Sequence, residues 1–259
     1  MSAIIKDHVL SLLSKGVRLD GRGLEDYREV SIEYGISPKS AEGSARVKIG
    51  DTEVVAGVKV EMGAPFPDKP GEGSIMVNVE LLPMASPEFE SGPPSIDSIE
   101  LSRVTDRVLR ESGVIDFKKL CIREGEKVWL LLIDIYPIND GGNLYDAAYL
   151  AALAALKNMK FPEVVEDKIQ WGKLTKKGLD MKELPMSCTI IKIGNYFLVD
   201  PTEEEFILLD SRLSVGVLKN GSLCALQKGG EKSLNIEDIE KMISLAVEKT
   251  GLLRKAFEK

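Results

Sequence analysis

Residues 128–158 read VWLLLIDIYPINDGGNLYDAAYLAALAALKN. The first nine are apolar apart from Asp134, the pattern of a strand buried on both faces. Asn139-Asp140-Gly141-Gly142-Asn143 is turn chemistry. Residues 144–158 follow as an alanine-rich helix. Outward from this unit, upstream alternation predicts strands at 30–33, 44–49, 54–60 and 74–82, with Gly50-Asp51-Thr52 as a hairpin turn. A Pro/Gly-rich loop covers 62–73, a second loop covers 83–95, and a helix follows at 95–112. Downstream, strands are expected at 188–193, 196–199, 213–218 and 222–227, turning at Gly194-Asn195 and Asn220-Gly221. An amphipathic helix closes the chain at 236–257. Strands in hairpin runs broken by single helices favour an α+β fold with mixed sheets over a doubly wound one.

At 259 residues and 44% hydrophobic content the chain can bury a sizeable core, as one large domain or two similar halves. Residues 2–15 read as an amphipathic helix carrying Lys6, Asp7 and His8, which argues against a signal peptide. The charged turn Arg18-Leu19-Asp20-Gly21-Arg22 follows, so 1–24 is expected as a helix and turn ahead of a domain spanning 25–259, with halves meeting at about 185. The longest strongly apolar stretch, 147–156, is too short to span a bilayer, so no membrane role is expected. Cys121, Cys188 and Cys224 are scattered and His8 is the only histidine. That argues against structural zinc and against histidine-based nucleophilic catalysis, and it suits a reducing cytoplasm. The net charge of −7 excludes a protein that coats nucleic acid over its whole surface, but leaves room for a local basic face.

The helix at 95–112 offers such a face. Leu101, Val104, Val108 and Leu109 fall in one apolar sector, while Arg103, Arg107 and Arg110 share an opposite stripe. Guanidiniums so arranged can track successive phosphates. They can equally form a solvated face, with Glu100 and Asp106 pairing to Arg103 and Arg110. Asp140-Gly141-Gly142-Asn143 is either an anion-holding helix start or a plain turn and cap; no Lys, Arg, Ser or Thr follows it, and Asp140 would repel phosphate. Asp200-Pro201-Thr202-Glu203-Glu204-Glu205 is a solvated acidic loop or a Mg²⁺ ligand set. Asp210, beside Arg212, is a lone candidate general acid. Ser91-Gly92-Pro93-Pro94-Ser95 orders the approach to the arginine helix or touches a partner.

Arg18-Leu19-Asp20-Gly21-Arg22, Gly43-Ser44-Ala45 and Gly50-Asp51-Thr52-Glu53-Val54-Val55 resemble the opening of RNase PH-type proteins. Asn78-Val79-Glu80-Leu81-Leu82-Pro83, Phe89-Glu90-Ser91-Gly92-Pro93-Pro94 and Ile99-Glu100-Leu101-Ser102-Arg103-Val104 resemble one branch, the archaeal exosome ring subunit without its own active site. Residues 134–156, Val199-Asp200-Pro201 and Gln227-Lys228 continue the match over nearly the whole chain. The resemblance implies a duplicated α+β fold similar to ribosomal protein S5 domain 2. Active members are phosphorolytic 3′→5′ exoribonucleases with a phosphate-binding Gly-Gly-Thr-Arg turn and a catalytic Asp at a later strand start. Here the turn reads Gly141-Gly142-Asn143-Leu144, and Arg212, not Asp210, stands opposite the catalytic Asp.

The expectation is therefore a non-catalytic subunit, without metal or cofactor, that contributes Arg103 and Arg107, with Arg110 on the same stripe, to RNA held at a partner's active site. The implied partners are a catalytic RNase PH-like chain, forming a heterodimer that closes as a trimer of dimers, together with RNA and cap proteins. The competing readings are a self-sufficient phosphorolytic exoribonuclease using Asp210 and a pure scaffold with the arginines solvated.

Overall fold

The computed structural model describes residues 3–181 and 183–258. In chain order the elements are α1 (Ala3–Leu13), β1 (Val30–Tyr34), β2 (Gly43–Ile49), β3 (Thr52–Gly63), β4 (Ser74–Val79) and α2 (Ile96–Glu111). A short 3-10 turn (Phe117–Leu120) leads to β5 (Cys121–Arg123), β6 (Lys127–Asn139), α3 (Leu144–Asn158), β7 (Lys160–Val165) and β8 (Lys168–Gly178). Then come β9 (Met186–Ile193), β10 (Tyr196–Val199), α4 (Glu203–Leu208), β11 (Ser211–Val217), β12 (Leu223–Gly229) and α5 (Ile236–Glu258). The architecture is the expected α+β with mixed sheets.

One sheet runs β1-β2-β3-β6-β4, with β5 on β6. Its pairings are antiparallel except β4 with β6, which needs the long α2 connection to become parallel. The second sheet runs β10-β9-β11-β12 and is wholly antiparallel. The alanine-rich α3 lies between the sheets, against β2, β3 and β6 on one side and β9 on the other. Every residue from Tyr145 to Leu156 is buried, the signature of a helix enclosed all round. Alanine permits that approach, and so does Gly43 on β2, where an added Cβ would lie 2.4 Å from the Ala155 carbonyl. α5 covers β9 and β11, burying Met242, Leu245 and Ala246 with Ile190 and Val215. α1 seats Val9 and Leu13 on Ile191, Ile193 and Leu198.

Two local expectations are corrected, and one element appears where none was expected. The strand expected to reach 82 stops at Val79, where α2 captures the β4 end: Ser98 Oγ donates to the Val79 carbonyl at 2.6 Å and Val79 N donates to Ser102 Oγ at 2.9 Å. The acidic run after Asp200 is no solvated loop. Thr202 and Glu205 form a capping box that starts α4, and Glu205 is buried in an ion pair with Arg18. Among the described residues no group of three or more His, Cys, Asp or Glu side chains gathers to hold a metal ion. Finally, β7 and β8 form a hairpin the sequence pattern hid. Its two-residue turn puts Glu166 and Asp167 at φ 49° and 62°, positions where glycine or asparagine is the usual signal.

Candidate nucleic-acid interface

α2 begins at Ser95, whose side chain accepts from Ser98 N. Its buried side presents Leu101, Val104, Val108 and Leu109 to the core. The outward side carries Ile96, Ile99, Arg103, Arg107 and Arg110, all exposed. The three arginines differ in what they already hold. Arg103 makes no hydrogen bond or ion pair among the described residues. Arg107 donates to Gln227 Oε1 on β12 at 2.5 Å, a neutral partner that leaves its charge available. Arg110 donates to both Asp106 oxygens at 3.0 and 2.7 Å, reaches the Ile75 carbonyl at 3.1 Å and lies over the Phe117 ring.

Of the two pairings that would have neutralised the stripe, only Asp106–Arg110 forms. Glu100 turns inward instead, accepting from Arg212 Nη2 at 2.5 Å and from the Tyr145 hydroxyl at 3.1 Å. Arg212, only 3% exposed, stacks its guanidinium 3.7 Å from the Tyr145 ring centroid. This clasp joins β11, α2 and the first turn of α3.

The glycine turn at the start of α3 is gripped from behind. Gly142 sits at φ 90° and Asn143 at φ 57°. Arg28 donates to the Gly141 and Gly142 carbonyls at 2.6 and 3.1 Å and pairs with both Asp200 oxygens at 2.8 and 2.7 Å. Thr52 Oγ1 donates to the Gly142 carbonyl at 2.5 Å. Asp200 is fully buried; burial works against its charge, yet the hydrogen bonds and positive charge of Arg28 hold its carboxyl below the usual range. The nearest guanidinium is thus committed to Asp200 and to the turn's carbonyls.

On its open side the turn faces a cavity of about 190 Å³. Leu81, Phe89, Leu101, Leu144, Phe206 and Ile207 make it apolar, while Glu88, Asp97, Asp140 and Glu203 line it without any Lys, Arg or His. Burial pushes Asp140 up, and Glu88 adds to this against the Gly142 amide and Arg28. Burial likewise raises Glu203, with Asp140, Glu204 and Glu88 adding to it. A phosphate dianion entering here would meet like charge and no cation.

Asp210 lines a neighbouring cavity together with Glu100, Tyr145 and Arg212, and it accepts from Lys6 at 2.8 Å, Lys232 at 2.9 Å and Gly194 N at 2.7 Å. Against a desolvation cost, these bonds hold its pKa down at about 2. A carboxyl so acidic stays ionised at neutral pH and has no proton to give. The sequence pointed to Arg103, Arg107 and Arg110, which share one face. It did not reveal the Arg28–Asp200 grip, the Arg212–Tyr145 stack or the acid-lined cavity. Each joins segments far apart in the chain, and no local spacing announces them.

The chain is similar to known proteins along its length. Residues 26–162 match the model of the 3′ exoribonuclease family, domain 1, and residues 183–249 match its domain 2. The exosome complex component Rrp42 of Methanothermobacter thermautotrophicus is 47% identical over 258 residues, covering 99% of this chain and 95% of that protein. The component of the same name from Archaeoglobus fulgidus is 44% identical over 259 residues, covering 98% and 96%. Among solved structures, a chain of the Archaeoglobus fulgidus exosome with RNA bound to the active site superposes with a TM-score of 0.90 at 44% identity, covering 98% of each chain. Rice Rrp46, at 19% identity, TM-score 0.70 and coverage of 93% of this chain and 98% of its own, shares the fold.

Proposed function

This chain belongs to the 3′ exoribonuclease (RNase PH) family, and from that premise we propose that it is the non-catalytic, RNA-holding subunit of an archaeal-type exosome ring. It pairs with a catalytic RNase PH-like chain, three such dimers close the ring, and cap proteins sit on it. Arg103 and Arg107 hold the phosphates of RNA threaded into the partner's active site, and Arg110 supports the same face. The partner carries out the phosphorolytic 3′→5′ shortening. The resemblance to Rrp42 components across the whole chain supports the assignment.

The observation that carries the reading is the separation of charge across α2. The available guanidiniums point outward, and the cavity at the glycine turn behind the helix is lined by carboxylates, Leu144 and neutral side chains, with no Lys, Arg or His among them. Phosphorolysis brings an anion up to an anionic backbone and requires cations placed at the reacting atoms. This chain places them elsewhere.

The test is reconstitution. The purified chain alone is expected to show no phosphate-dependent shortening of single-stranded RNA, and activity is expected when the catalytic partner is added. Phosphorolysis by the chain alone, abolished by Asp210→Asn, would establish the self-sufficient enzyme instead.

A further inference from the structure

In a chain of net charge −7, β8 carries Lys168, Lys173, Lys176 and Lys177 and no acidic residue. All four lysines are exposed, and none forms an ion pair among the described residues. Of the acids at the hairpin, Asp167 is held by Lys127 at 2.7 Å and Arg123 at 3.8 Å. Glu163 on β7 and Glu166 at the turn remain, on the tip side of the strand pair. Two acids against four unpaired lysines leave the hairpin with a surplus of positive charge.

The backbone bends to present them. Glu163 pairs with Gln170 while the adjacent Pro162 pairs with Leu174, so Trp171-Gly172-Lys173 has no partner on β7. Lys160 pairs with Gly178, so Thr175-Lys176-Lys177 stands against Phe161 alone. Gly172 takes φ 81° in the first bulge, with open space around it. Such bulges give up ladder bonds and re-aim side chains. Three of the four lysines lie in them, and so does Trp171, which is 59% exposed. Lys59, itself paired with Glu42 at 3.0 Å, stands 4.8 Å from the Trp171 ring centroid. The other tryptophan, Trp129, is half-buried and packs on Phe161.

We propose that β8 is a second RNA-binding element: a base of single-stranded RNA stacks on Trp171 while the lysines of the two bulges hold its phosphates. The inference rests on the RNA reading above for the identity of the polyanion. Protein interfaces are depleted in lysine, so four lysines on one strand fit a polyanion better than a folded protein. The exposed ring selects among polyanions. A duplex keeps its bases stacked inside, whereas a single strand can lay a base on an aromatic plane. Stacking and lysine contacts read no base edge, so binding here is independent of sequence. The element is separate from the arginine face. α2 meets α3 at the first turn, where Tyr145 donates to Glu100. The hairpin leaves the other end of α3, and the 15 residues between span about 22 Å.

The test uses the full chain carrying Arg103→Glu and Arg107→Glu, which reverses the charge of the α2 face, titrated with single-stranded oligouridylate at low salt. Intrinsic fluorescence is expected to fall as a base stacks on Trp171. Adding Trp171→Phe is expected to abolish the quenching and keep the affinity, whereas Trp171→Ala weakens binding at least about fivefold. Lys173→Gln with Lys176→Gln makes the slope of log affinity against log salt shallower by about 1.4. Quenching that survives Trp171→Phe would overturn the inference, as would affinity and slope unchanged in the Trp171→Ala and lysine variants. Equal quenching by an oligouridylate–oligoadenylate duplex would also overturn it. Displacement of the RNA by an equal charge of poly-glutamate would assign the face to an acidic protein segment instead. Reconstitution keeps the two readings apart. Quenching here without phosphorolysis by the assembled pair would retain the hairpin site and overturn the ring reading, and the reverse pattern would do the opposite.

Discussion

Replacing the arginines of α2 one at a time separates their roles. Among the described residues Arg103 makes no hydrogen bond or ion pair and Arg107 bonds only Gln227, so Arg103→Ala and Arg107→Ala leave the fold nearly undisturbed. Arg110 is already neutralised by Asp106 and anchored to the Ile75 carbonyl. A charge-assisted bond to a phosphate contributes about 1.5 kcal/mol, so losing both Arg103 and Arg107 weakens RNA binding by about a hundredfold at low salt. Each single-strand phosphate contact also adds about 0.7 to the slope of log affinity against log salt. The double variant's slope is therefore shallower by about 1.4, and between about 50 and about 200 mM salt the parent loses about sevenfold more affinity than the variant does. Arg110→Ala changes the slope by less than half of one contact. It costs instead up to about 1 kcal/mol of stability, from the i,i+4 pair and the carbonyl bond. The assay is fluorescence anisotropy of a labelled single-stranded RNA on the assembled ring across that salt range. An unchanged slope in the Arg103/Arg107 variant, or an Arg110 effect equal to that of Arg103, would refute the reasoning.

Three further outcomes follow from the buried interior. Glu100→Gln removes the charge facing Arg212; because Glu100 is about one-third exposed at 32%, solvent screens the loss, and about 1–2 kcal/mol is expected as a lower urea midpoint at unchanged slope. Gly142→Ala adds a Cβ at φ 90° within 2.4–2.5 Å of the backbone at Pro201, Thr202 and Glu203; it should cost at least about 2 kcal/mol more than Gly221→Ala, which has a similar φ of 85° and open space around it. Burial raises Asp146 to about 6, against the hydrogen bonds from Tyr27, Asn143 and Thr189. Its folded pKa lies above its unfolded one, so its contribution is full below pH about 4 and is lost as pH rises to about 6, by about 3 kcal/mol. Urea melts of Asp146→Asn across that window should lack this decline relative to the parent; parallel pH profiles would count against it.

The sequence showed what is periodic. The α3 segment and its preceding strand were legible because a both-faces-buried pattern needs only a run of apolar residues. The arginine stripe was legible because 103, 107 and 110 recur at helical spacing. What stayed hidden depends on partners distant in the chain. Glu100 looked available to Arg103, yet Arg212, 112 residues away, takes it. Glu205 looked solvated in an acidic run, yet Arg18, 187 residues away, buries it. The β7–β8 hairpin escaped because its turn uses Glu166 and Asp167 and its second strand carries four lysines, a composition that reads as loop.

On the proposed reading, the placement of cations accounts for a division of labour between two chains. Leu101 and Arg103 stand two residues, and so about 200°, apart around α2. Leu101 faces the chain's own glycine turn, so the arginines necessarily face away from it. No side-chain motion of ordinary length brings Arg103 or Arg107 round the helix to that turn, and Arg28 cannot leave Asp200 without exposing a buried carboxylate. On the proposed reading, an RNA held by this helix is held away from this chain's own turn, and its 3′ end meets phosphate at a turn supplied by the proposed catalytic partner. The carboxylates at the home turn deepen the same division: they lower the affinity of this site for phosphate and for RNA. A single Leu144→Arg replacement would thus meet Glu88, Asp140 and Glu203 and be neutralised by them before it could hold phosphate.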